Sequence, residues 1–118
     1  MKKAGLKKWF VAATAAAMLL LVFAGTALAG KWWAVKTATG NYTTYSAWSN
    51  TASYVAVHVE QAGSDSGTLY LRGVGREYGN STPQLSMSSM RSWQGGMATD
   101  QYRAALWGAG TGSGYVAT

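Results

Sequence analysis

Cysteine is absent from the 118-residue chain, which excludes a disulfide scaffold, a cysteine-ligated zinc site, a thiol nucleophile and a CxxC redox centre. Histidine occurs once, as His58, and only four residues are acidic: Glu60, Asp65, Glu77 and Asp100. One imidazole and four scattered carboxylates offer no convergent ligand spacing, so neither a metal site nor a cofactor is expected. A serine or threonine nucleophile would have to use His58 and one of those carboxylates, yet no G-x-S-x-G elbow is present. Gly63-Ser64-Asp65-Ser66-Gly67 lies between two strand-like segments and has turn chemistry. Glu60 and Glu77 could act as glycosidase carboxylates only around a deep cleft, for which so short a chain has little room. No helix follows Gly73-x-Gly75 or the C-terminal glycines to hold a phosphate. No catalytic residue is assigned, and the chain is read as non-enzymatic.

Acidic residues are also missing from the N-terminus. Lys2, Lys3, Lys7 and Lys8 precede an uncharged run from Trp9 to Ala29, which closes on Ala27-Leu28-Ala29 before Gly30. A basic start, an apolar stretch and small residues before the cut are the pattern of a secretory signal peptide. Cleavage is expected after Ala29, giving a signal helix over residues 1–29 and a single small β domain over residues 30–118. An uncleaved anchor is the alternative, because about twenty apolar residues can span a bilayer. The short lysine-rich opening fits bacterial export, with no following cysteine to accept a lipid. The expected location is therefore extracellular, and the export machinery and signal peptidase are expected partners.

Without those four lysines the ten basic residues fall to six: Lys31, Lys36, Arg72, Arg76, Arg91 and Arg103. Against four acids the net charge becomes +2, and the bases are scattered along the chain. Nucleic-acid binding needs clustered Lys and Arg, so no nucleic-acid partner is expected.

Isoleucine is missing altogether, and both phenylalanines lie before Gly30. Residues 30–118 hold six Val and four Leu but five Trp and seven Tyr, so the aromatic rings are expected to supply much of the core. Helical periodicity is absent, whereas strand and turn signals recur. Strands are expected over 32–39, 42–48, 52–60, 68–76, 84–94 (bulged at Ser88-Ser89) and 99–107, with a short terminal segment at 115–117. Val55, Val57 and Val59 alternate with Tyr54, Ala56, His58 and Glu60, and Leu69 and Leu71 with Tyr70 and Arg72. Asp65-Ser66-Gly67 would close these two into a hairpin, with Gly67 left-handed, Glu60 facing Arg72 and His58 near Tyr70 or Val74. Gly95-Gly96 would end the preceding strand. The expected fold is all-β, a small antiparallel sandwich or barrel of about six strands.

Adjacent Trp32 and Trp33 must point to opposite faces of a strand, so one of them should meet solvent. Exposed indoles stack on sugars, anchor at membrane interfaces or centre protein contacts. Tyr45-Ser46-Ala47-Trp48-Ser49-Asn50, followed by the Val/His strand, resembles the lactococcin-type bacteriocins over about residues 32–60. The resemblance implies a small antiparallel β-sandwich that acts at the cell wall. The chain departs from the family in its single His, in lacking a W-x-Y-G opening and in its Met- and Gly-rich C-terminal part, and no binding residue is transferred. The function expected is that of a secreted, bacteriocin-like antimicrobial acting on a bacterial cell-envelope component or surface glycan. Trp33, Tyr45, Trp48 and Arg72 are the candidate target-binding residues. A self-assembling adhesion or matrix subunit, in which the chain forms homo-oligomers, and a small glycan-binding module are the alternatives.

Overall fold

The computed structural model describes residues 30–118, and the expected signal helix over residues 1–29 lies outside the described residues. Seven strands follow one another: β1 (Lys31–Lys36), β2 (Tyr42–Tyr45), β3 (Thr51–Ala62), β4 (Leu69–Gly75), β5 (Leu85–Ser86), β6 (Ser92–Gly108) and β7 (Gly112–Ala117). The order across the sheet is β1-β7-β3-β6-β4-β5, with β2 also beside β6. Every pairing is antiparallel, as expected for the fold class.

The length of β6 determines the architecture. Its first part, Ser92–Gln101, pairs with β3. Its last part, Tyr102–Gly108, pairs with β4, and β2 borders residues Ala105–Gly108 on the other side. One strand therefore belongs to two layers, and the sheet folds over itself along β6 into a small sandwich. Ala34, Val55, Val57, Val59 and Val116 project inward from the β1-β7-β3 layer to meet Leu69, Leu71, Leu85, Met87, Tyr102, Ala104 and Leu106 from the other. Burying a Val or Leu side chain contributes about 1.5–3 kcal/mol, so this seam is the main source of stability. The layers approach closely at Gly114 of β7, where a Cβ would sit 2.7 Å from the His58 carbonyl oxygen and strike the Leu71 side chain.

Several expectations are corrected. The core is aliphatic: Tyr102 is the only aromatic ring in the buried cluster among the described residues, and Trp93 packs at its margin. Valine and leucine are few, but nearly all of them face inward. The Val55–Val59 and Leu69–Leu71 strands do not form a hairpin, because their apolar faces pack against each other across the sandwich. β3 pairs instead with β6 and β7, so Glu60 does not face Arg72 and His58 lies opposite Tyr115. In the connection Asp65, not Gly67, adopts the left-handed conformation, at φ 54°. The expected 84–94 strand is split into β5 and the start of β6 by a turn at Met87–Ser89. Gly95-Gly96 does not end β6, which runs on to Gly108 at φ 121°.

Candidate functional site

The segment Tyr45-Ser46-Ala47-Trp48-Ser49-Asn50 leaves regular strand geometry after Tyr45 yet stays fastened to β6. The Ser46 N–H donates to the Ala104 carbonyl at 3.0 Å, and the Ala104 N–H donates to Ser46 Oγ at 2.8 Å. Ser49 repeats the arrangement two residues along: its N–H donates to the Tyr102 carbonyl at 2.7 Å, and the Tyr102 N–H donates to Ser49 Oγ at 2.9 Å. Each buried hydroxyl stands in for the backbone acceptor that a regular strand would supply. The two clamps bracket Arg103, and Ala47-Trp48 arches between them.

Alternation on β6 sends Tyr102, Ala104 and Leu106 into the core and Arg103 and Trp107 outward. The register places Tyr70 opposite Trp107, Arg72 and Tyr45 opposite Ala105, and Val74 opposite Arg103. The result is a face on which cations and rings interleave. The Arg103 guanidinium lies 3.8 Å from the Tyr45 ring centroid and 4.4 Å from that of Trp48, and Arg76 approaches Trp48 at 5.6 Å. Arg72 sits 5.1 Å over Trp107, which stacks at 5.8 Å against Tyr70. Ring faces carry negative potential, so these contacts orient the guanidinium planes without neutralising their charge.

No arginine of this face forms an ion pair among the described residues, where the one pair found is His58 with Glu60. The buried Arg103 Nε has no hydrogen-bond partner. Arg76 donates to the Gln101 side chain at 3.0 Å, a neutral acceptor. Asp100, three residues before Arg103, is turned inward and buried, where it accepts from the backbone N–H groups of Glu77, Tyr78 and Gln101. Burial pushes its carboxyl up, but those hydrogen bonds and the Arg76 charge outweigh burial and hold it below the usual carboxylate value. Burial, with the Asp100 charge second, pushes the Tyr102 hydroxyl up.

Of the four candidate residues, Tyr45, Trp48 and Arg72 come together on this face, and Trp33 lies on the opposite side of the sandwich. There Trp33 is 44 % exposed and meets Tyr115 with ring centroids 4.8 Å apart. Arg103, Trp107, Tyr70 and Arg76 complete the first face and are not among the four candidates. Their alternation was readable, since Gln101, Arg103, Ala105 and Trp107 are every second residue, but only the pairing of β4 and β2 with β6 joins them to Tyr45 and Trp48.

Fold and face together define a small all-β sandwich that presents an arginine–aromatic surface. Comparison with protein-family models, with curated proteins and with solved structures finds no match.

Proposed function

We propose that the chain is an exported, non-enzymatic binding protein that acts at the bacterial cell envelope in the manner of a bacteriocin, engaging an anionic envelope component through the arginine–aromatic face. The observation that carries this is the set of Arg72, Arg76 and Arg103 held among Tyr45, Trp48, Trp107 and Tyr70 with no carboxylate at salt-bridge distance among the described residues. A guanidinium is a planar fork that matches phosphate and carboxylate oxygens two at a time. Three of them supply half of the six basic residues in 30–118, so the modest net charge is concentrated where it can attract an anion.

The self-assembling alternative has less support. Among the described residues β1 is hydrogen-bonded in the sheet on one side only, to β7, which makes it the natural place for another copy to add. Its Lys36 points inward and is buried, with the ammonium donating to the Ala38 and Gly110 carbonyls at 2.8 Å each and lying 4.0 Å over the Tyr42 ring. An inward-pointing charge on an edge strand discourages edge-to-edge growth.

The test is a growth-inhibition titration of the purified protein against related and unrelated bacteria, paired with binding to isolated cell walls before and after removal of their anionic polymers. Dose-dependent inhibition of a narrow panel is expected, with binding that weakens in salt and on polymer removal. The Arg72→Gln/Arg103→Gln variant should lose both. Equal binding to stripped and intact walls, together with no inhibition at any dose, would refute the proposal.

A further inference from the structure

The opposite face of the sandwich carries a separate arrangement. Trp33 of β1 lies opposite Tyr115 of β7, which in turn lies opposite His58 of β3. The rings form a row with centroid separations of 4.8 and 5.1 Å, and the 59° tilt of Trp33 against Tyr115 leaves much of the indole open to solvent. Beside it runs a shallow groove lined by Trp33, Val35, Lys36, Thr37, Gln61 and Ser113, among others. No carboxylate lines the groove, and the ammonium of its only cation, Lys36, is already bound by two carbonyls. A ligand entering here meets an exposed indole, an amide and hydroxyls, and no unsatisfied charge.

We infer that this groove is a second binding site that takes a neutral pyranose chain. A sugar ring has an apolar C–H face, which suits the indole of Trp33, and a rim of hydroxyls that both donate and accept. The Gln61 amide and the Ser113 and Thr37 hydroxyls also donate and accept, and so match that rim. Lys31, whose ammonium stands 4.7 Å over the Tyr115 ring, does not line the groove, so an anionic glycan would find no free cation among the residues that do. A protein partner would need about 800 Å² of contact on this side, and the face offers only Trp33 and Val35 as exposed large apolar residues. The inference rests on residues other than those of the arginine face and stands or falls apart from it. With both sites occupied, the domain would bridge a neutral glycan and an anionic polymer of one wall, multiplying the two affinities.

The test is an NMR titration of the isotopically labelled full chain with cellohexaose, chitohexaose, maltohexaose and mannohexaose, each up to about 10 mM, enough to fill a millimolar site. At least one sugar should produce saturable shifts centred on the Trp33 indole and the Gln61 side-chain amide. Trp33→Ala and Gln61→Ala should each weaken binding about tenfold, Trp33→Tyr should retain it, and Trp33→Ala should still bind anionic wall polymer. Gln61 is exposed, so its variant tests the site even if Trp33→Ala fails to fold. The inference is overturned if none of the sugars moves these resonances, or if the shifts map to Tyr45 and Trp48. It is equally overturned if the Trp33 signals respond to protein concentration alone, which would mark a contact between copies.

Discussion

Replacing Ser46 or Ser49 by alanine removes one oxygen from a residue that is already buried and leaves the main chain intact. Ser46→Ala strands the Ala104 N–H, which now donates to Ser46 Oγ at 2.8 Å, and Ser49→Ala strands the Tyr102 N–H, which donates to Ser49 Oγ at 2.9 Å. Both amides belong to residues that are fully or almost fully buried, so water cannot readily replace the lost acceptor. An unsatisfied buried donor costs about 1–3 kcal/mol, and each single variant should lose that much. In a domain of this size one kcal/mol corresponds to about 4–8 °C in Tm, so the effect is well outside experimental scatter. Urea unfolding followed by tryptophan fluorescence gives the free energy, and hydrogen exchange at the Ala104 and Tyr102 amides locates it. The exposed Ser88→Ala serves as control and should stay within about 0.5 kcal/mol of the parent. If Ser46→Ala and Ser49→Ala also stay within that margin, with exchange at both amides unchanged, the hydroxyls are not standing in for backbone acceptors and the account of how Trp48 is held fails.

Arg103→Gln should weaken binding to an anionic wall polymer by about 1.5–3 kcal/mol, the range for a hydrogen bond to a charged group, and flatten its salt dependence, both measurable by calorimetry at two ionic strengths. Because the Asp100 carboxyl is held below its unfolded value near 4, the stability it confers should be complete above about pH 4 and disappear as pH falls through the lower folded value. Asp100→Asn should reduce that acid-side loss in a series of urea titrations, and an unchanged acid limb would discard the assignment. Gly108→Ala should lower the unfolding free energy, read from urea titration, by at least the 1–3 kcal/mol or so that a strained backbone costs, since the residue sits at φ 121° and an added Cβ would strike the Thr68 carbonyl.

The strands were legible where one face is apolar. Val55, Val57 and Val59 and Leu69 and Leu71 mark β3 and β4 by alternation alone. Their relation was not legible, because alternation is the same whether two strands pair edge to edge or pack face to face. Only the competing partners β6 and β7 decide between the two arrangements. Glycine misled for a related reason: Gly95-Gly96 looks like a breaker, but β3 pairs with it at Val55 and Tyr54, and the ladder continues. Gly112 and Gly114 look like a loose tail, yet they lie in β7 between β1 and β3. At the arginine face, Tyr45, Trp48 and Arg72 were found by residue chemistry. The central Arg103 was not, since its importance comes from two rings that reach it across a strand boundary.

The pairing pattern also orders events in time. Among the described strands the only laddered pair lying wholly before Ser92 is β4 with the two-residue β5; β1 waits for β7, β2 for β6, and β3 for both. A chain that emerges from its N-terminus therefore holds no substantial sheet until β6 appears from Ser92 onward, because loop closure precedes the contacts that repay it. Were the chain exported as proposed, residues 31–91 would enter a membrane channel with no partner strand to hold them folded except the short β4–β5 pair.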